Sequence, residues 1–153
     1  MTVGICSGYF QRFHKGHIEY INAALNQFDH VVIILNNDIQ QRNKYAGYSN
    51  IRSTEDIAFE IREKFTDKAP RIITSIDIDE SVCQTLGLIK SIYPNFQLFF
   101  CKDADRNKKN IPETKVLRKY KIKYINFLNP KRFSFLFLII CLVMLILLIK
   151  NII

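Results

Sequence analysis

Residues 7–17 read Ser7-Gly8-Tyr9-Phe10-Gln11-Arg12-Phe13-His14-Lys15-Gly16-His17, and they join a short apolar run, Val3–Cys6, to a stretch of helical period. A strand that passes through a glycine-containing loop directly into a helix is the opening half of a βαβ unit. Gly8 is read as the residue that lets the chain turn sharply off the strand, and Gly16 as the one that removes a side chain where a ligand approaches the backbone. Free N–H groups at the start of a helix attract anions. His14 and His17, placed there, can donate hydrogen bonds to phosphate oxygens, so the loop suits a nucleoside triphosphate. No third His, Cys or acidic residue stands in the loop to complete a metal shell, and no metal ligand is assigned.

Outward from this loop, β-rich runs alternate with helical ones. Val3–Cys6, Val31–Leu35, Arg71–Ser75, Gln97–Cys101 and Ile122–Phe127 read as strands. His17–Gln27, Thr54–Phe65, Ser81–Ile92 and a segment opening near Pro112 read as helices, with Ser53 as an N-cap and Glu113 at the positive end of the last one. The alternation predicts an α/β fold, a parallel five-stranded sheet with flanking helices. In such a sheet the ligand crevice lies beyond the carboxyl ends of the strands, which directs attention to the loops after Cys6, Leu35, Ser75 and Cys101.

Composition agrees with one folded core. The chain has 153 residues, 48% hydrophobic and 24% charged, which excludes a disordered protein and leaves no room for two full domains. Its net charge is +8, but residues 1–101 are near neutral, with 10 basic and 11 acidic groups, whereas residues 102–132 carry 11 basic and 3 acidic ones. Such local basicity makes nucleic acid an unlikely partner. Cys6, Cys83, Cys101 and Cys141 form no C-x-x-C pair and follow no signal peptide, so they read as small apolar residues in a reducing compartment.

The carboxyl end sets a separate expectation. Residues 133–149, FSFLFLIICLVMLILLI, hold 17 residues without a charge between Lys131-Arg132 and Lys150. As a helix this stretch is about 25 Å long, close to the roughly 30 Å of bilayer hydrocarbon. The expected organisation is a domain over 1–128, a basic linker over 129–132, a transmembrane helix over 133–149 and a tail over 150–153. The positive flank keeps the domain cytoplasmic, anchored to a membrane by its carboxyl end.

The loop matches G-x-F-x-x-x-H-x-G-H at Gly8, Phe10, His14, Gly16 and His17, and the chain resembles the H-x-G-H nucleotidyltransferases over nearly all of residues 2–128. It is closest to a cytidylyltransferase-like branch, through Asn36-Asn37-Asp38, Ala104-Asp105-Arg106 and Ile111-Pro112-Glu113, with Ser75-Ile76-Asp77 and Ser81-Val82-Cys83 also similar. The resemblance implies a Rossmann-like sheet and transfer of a nucleoside monophosphate to a phosphorylated small alcohol or sugar, with release of pyrophosphate. CTP is favoured over ATP, Mg²⁺ is bound through the triphosphate, and a homodimer is the common state of relatives. His14 and His17 then hold the phosphates. Lys44, with Lys15 and Arg42 as further candidates, supplies positive charge, and Gly8, Phe10, Gly16, Asp38, Asp105 and Arg106 take the nucleotide side.

The chain departs from the family pattern at four places. Gln11 stands for an aspartate, Arg12 for a proline, and Asp56 for an arginine that Arg52 could replace from one turn earlier. The closing serine-rich stretch has no counterpart, its place being taken by Asn129-Pro130-Lys131-Arg132-Phe133-Ser134. A nucleotidyltransferase is the leading function, and a membrane-tethered nucleotide-binding or scaffold protein without turnover is the alternative.

Overall fold

The computed structural model describes residues 1–102 and 111–127. Ten elements follow in the order β1 (Thr2–Gly8), α1 (Lys15–Gln27), β2 (His30–Leu35), α2 (Asp38–Lys44), α3 (Thr54–Lys64), β3 (Arg71–Thr74), α4 (Cys83–Ile92), β4 (Gln97–Lys102), α5 (Thr114–Lys119) and β5 (Lys123–Asn126). All five strands are parallel, in the order β3-β2-β1-β4-β5. The chain therefore builds outward in one direction to β3, returns, and builds outward in the other from β4. The reversal lies between β1 and β4, where Cys6 pairs with Cys101.

Strand periodicity divides the core in two. Successive side chains of a strand point to opposite faces, so Val31, Ile33 and Leu35 of β2 join one apolar cluster and Val32 and Ile34 the other. The first cluster is covered by α1 through Tyr20, Ile21 and Ala24, and by α3 through Ile57, Ala58 and Ile61. The second is covered by α4 through Leu86 and Ile89, and by α5 through Leu117. A strand buried on both faces needs an unbroken apolar run, which is why His30–Leu35 reads HVVIIL rather than alternating. Tyr20 ties α1 to the point of reversal, its hydroxyl donating to the Cys101 carbonyl at 2.7 Å. Burial, with the Cys6 and Cys101 thiols beside it, pushes that phenol well above its ordinary range.

Two expectations are corrected. The sequence reading has four helices, whereas five are present among the described residues: α2 carries no apolar period and is instead fixed by its ends. Asn37 Oδ1 accepts from the Gln40 N–H at 3.0 Å, and Gln40 Oε1 accepts from the Asn37 N–H at 3.1 Å, a reciprocal cap that supports a seven-residue helix. The second correction concerns the added transmembrane helix. No helix among the described residues is long and apolar enough to cross a membrane. The longest, α1, has 13 residues, about 20 Å, and presents one face to the sheet and a polar one to solvent. The described residues form the five-stranded α/β fold alone, and residues 133–149, where that helix is expected, lie outside them.

Candidate active site

Beyond the carboxyl ends of β1 and β4 opens a cavity of about 670 Å³, at the point where the strand order reverses. Gly8, Phe10, His14, His17 and Lys44 line it, so five of the residues singled out in the sequence come together across β1, the first loop, α1 and α2. Lys15, Arg42 and Asp38 do not line it. Lys15 is exposed and pairs with Glu19 at 3.6 Å on the outside of α1. Asp38 accepts from the Thr54 hydroxyl at 2.6 Å and the Thr54 N–H at 2.7 Å, and these two bonds hold its carboxyl below the usual carboxylate range. Asp38 thus anchors the start of α3. Asp105, Arg106, Lys131, Arg132 and Ser134 lie outside the described residues.

The histidines owe their arrangement to the helix they begin. His14 is the N-cap of α1, with extended backbone, and its Nδ1 accepts from the Gly16 N–H at 3.1 Å. In the neutral ring Nε2 is then the protonated nitrogen and the donor available to a ligand. The His17 ring stacks on that of His14, with centroids 3.9 Å apart and planes 19° apart. It is clasped by Phe13 on a parallel plane at 5.9 Å and by Phe10 edge-on at 4.9 Å. The first turn of α1 holds no acidic residue, so no carboxylate competes with an anion at its N-terminus.

The glycines act differently from the sequence reading. Gly8 is extended within β1 and pairs with Leu35. The turn off the strand falls instead to Phe10, whose φ is +50°. A Cβ at Gly8 would meet the buried Phe10 ring at 2.9 Å, so Gly8 makes room for the ring that supports His17. A Cβ at Gly16 would meet the His14 ring at 3.0 Å. Gly16 lets His14 fold back onto the helix end.

Two glutamines hold the loop in place: Gln11, which the sequence marks only as a departure from an aspartate, and Gln41, which it does not mark. Gln11 Nε2 donates to Gln41 Oε1 at 3.0 Å and to the Arg52 carbonyl at 2.8 Å, while its Oε1 accepts from the Arg52 N–H at 2.9 Å. Gln41 is fully buried and donates to the carbonyls of Tyr9 and Asn36. The Arg52 side chain is turned outward, with Nη1 2.6 Å from Glu60 Oε2 and Nη2 donating to the Asp56 carbonyl. On the α2 side of the cavity the Lys44 ammonium stands 5.8 Å from the Tyr9 ring centre, and Tyr9, Tyr45 and Tyr48 form an edge-to-face series. Lys102, at the end of β4, and Glu113 beside it also line the cavity, as does Glu80 in the segment that Gln40 of α2 holds.

Over residues 5–130 the sequence matches the cytidylyltransferase-like family. The chain belongs to that family. Among curated proteins it is similar to the phosphopantetheine adenylyltransferase of Rubrobacter xylanophilus, 21% identical over 70% of this chain and 75% of that protein. It is also similar to a probable nicotinate-nucleotide adenylyltransferase of a Ruegeria species, 26% identical over 69% of this chain and 55% of that protein. Among solved structures it shares its fold with the lipopolysaccharide core biosynthesis protein of Thermoplasma volcanium. That match has a TM-score of 0.58 and 20% identity, and it covers 82% of this chain and 95% of the other. The chain is thus a nucleotidyltransferase of the cytidylyltransferase-like family.

In this cytidylyltransferase-like domain Gly16 gives a test that separates activity from stability. Alanine inside a helix is favoured over glycine by about 1 kcal/mol, yet its methyl group would displace the His14 ring. Gly16→Ala is expected to lower kcat/KM by about 10-fold or more while leaving the melting temperature unchanged or raised. Steady-state kinetics beside a thermal melt checks both.

Proposed function

We propose that the protein transfers the nucleoside monophosphate of CTP or ATP to the phosphate of a small phosphorylated alcohol or sugar and releases pyrophosphate. The observation that carries this reading is the pair of stacked imidazoles at the N-terminus of α1, inside the cavity where the strand order reverses. An oxygen of the acceptor phosphate attacks the α-phosphorus. A new P–O bond forms there, and the bond to the bridging oxygen of the β-phosphate breaks, so pyrophosphate departs. Negative charge gathers on the transferring group and on the leaving group, and catalysis needs positioning and donors rather than a nucleophilic side chain.

The chain's own groups fit that need. His14, its Nδ1 taken by the Gly16 N–H, has Nε2 left to donate, and it caps a helix N-terminus, which favours an anion. Lys44, on the α2 side, supplies a cation to the acceptor phosphate or the departing pyrophosphate. Among the described residues no group of three or more His, Cys, Asp or Glu converges to hold a metal. Magnesium carried on the triphosphate would neutralise charge there. Support for an amino-bearing base comes from the family name on one side and from the two adenylyltransferase relatives on the other.

The test is a pyrophosphate-release screen of the full chain with four nucleoside triphosphates against a panel of phosphorylated alcohols and sugars. Acceptor-dependent release with CTP or ATP is expected. Tight triphosphate binding with no release from any combination would refute transfer and leave a nucleotide-binding protein, the reading to which the outward-turned Arg52 guanidinium lends weight.

A further inference from the structure

The glutamine pair under the histidine loop fixes what position 11 can be. Gln41 is fully buried, and its Nε2 donates to the Tyr9 carbonyl at 2.8 Å and to the Asn36 carbonyl at 3.1 Å. Those two carbonyls take both of its N–H groups, so its Oε1 faces position 11 and needs a donor there. Position 11 also meets the Arg52 carbonyl, a second acceptor, and the Arg52 N–H, a donor. The side chain at 11 must therefore donate to two oxygens and accept from one nitrogen. A glutamine amide does both, whereas an ionised carboxylate, such as the aspartate of the family pattern, only accepts. Turning the Gln41 amide over to suit a carboxylate would set its oxygen against the Tyr9 and Asn36 carbonyls and lose two hydrogen bonds.

Three walls of the cavity are joined through this pair. Phe10 and His14 line it from the loop, Lys44 from α2, and Asn50 and Ile51 from the segment before α3. Gln11 clamps the loop to that segment through both polar groups of the Arg52 backbone, and Gln41, about one turn before Lys44, ties the loop to α2. Resting on the proposed transfer reaction, we infer that Gln11 is a positioning residue whose amide sets the imidazole pair and Lys44 relative to one another. Both of its N–H groups are taken by the fold, so it acts through the loop rather than on the substrate. Groups that must meet a triphosphate in one geometry lose rate when the frame between them loosens, even where each group is intact.

Steady-state pyrophosphate release by the full chain tests this, on protein shown to be folded by circular dichroism at each pH. Gln11→Met keeps the length and removes all three hydrogen bonds; kcat is expected to fall about 10-fold while KM for the triphosphate changes by less than about 3-fold. Gln11→Glu is expected to show the same loss near about pH 8 and to regain part of it toward about pH 5.5, because a carboxyl facing two acceptors takes up a proton and donates again. Arg12, His14, His17, Lys44 and Tyr45 line the same cavity and carry charge or titrate, so the rate is read as the ratio of variant to wild type at each pH, which removes their shared contribution. That ratio stands even if Gln11→Met does not fold. A Gln11→Met protein with the wild-type kcat, or a Gln11→Glu ratio that does not change with pH, overturns the positioning role, while release by the wild type in the same assay keeps the transfer reaction. No release by the wild type from any nucleotide and acceptor overturns the reaction, and this role with it.

Discussion

Alanine in place of His17 is expected to lower the rate of pyrophosphate release by about 10²- to 10³-fold, the usual cost of losing one donor from a site that stabilises developing charge. The His17 ring does two things at once. It faces the cavity, and it is the surface on which His14 stacks, at 3.9 Å between ring centres. Removing it takes away one imidazole and the wall that orients the other. The two histidines act as a unit, so the double variant His14→Ala/His17→Ala is expected to fall little below the single one. The loss belongs in kcat more than in KM, because the charge to be stabilised grows only as the phosphorus is attacked. His17 is also packed against Phe10 and Phe13, so a thermal melt must accompany the kinetics. A folded His17→Ala protein that keeps more than a third of its rate would refute the role.

How much of this could be read from the sequence depends on whether the determining contact is local. Strand periodicity and the apolar run His30–Leu35 are local, and the five strands stand where the patterning put them, with boundaries moved by one or two residues. Ser53 caps α3 as expected because an N-cap bond reaches only three residues, here to the Asp56 N–H at 3.1 Å. The histidine loop was equally legible, since its glycines and histidines lie within ten residues of one another. Helix α2 escapes a reading by apolar period because it has none. The signal was Asn37 followed three residues later by Gln40, a capping box with no amphipathic face behind it. Gln11 was read only as a missing aspartate. Its partners, Gln41 and Arg52, lie 30 and 41 residues away, and nothing in the spacing of polar residues shows that the fold will bring them together. Glu113 read as a charge suited to a helix end, whereas its burial beside Lys102 follows from the return crossover that places α5 over β4 and β5.

The same reasoning applies to Asp77, whose replacement by alanine is expected to cost about 3 kcal/mol of folding stability, a sum of one lost helix cap and charge-assisted hydrogen bonds left without an acceptor. The residue is 1% exposed. Helix α4 begins at Cys83 after Val82, which offers no capping side chain, so its first N–H groups need an acceptor from elsewhere. Asp77 supplies it: Oδ1 accepts from the Gln84 N–H at 2.7 Å, and Oδ2 accepts from the Thr85 N–H at 3.0 Å and the Thr85 hydroxyl at 2.6 Å. The negative charge also lies at the positive end of the helix dipole. Its own carbonyl accepts from Asn37 Nδ2 at 2.7 Å, and Asn37 caps α2, whose Gln40 and Gln41 hold the loops at residues 79–81 and 9–11. Loosening residue 77 therefore reaches Glu80 and Val82 at one wall of the cavity and Tyr9 and Gln11 at the other. Urea unfolding gives the measurement. Asp77→Asn, which keeps one acceptor and loses the charge, should fall between the wild type and alanine. A loss below about 1 kcal/mol for Asp77→Ala, the level of an ordinary surface substitution, would mean that water caps α4 as well as the carboxylate does.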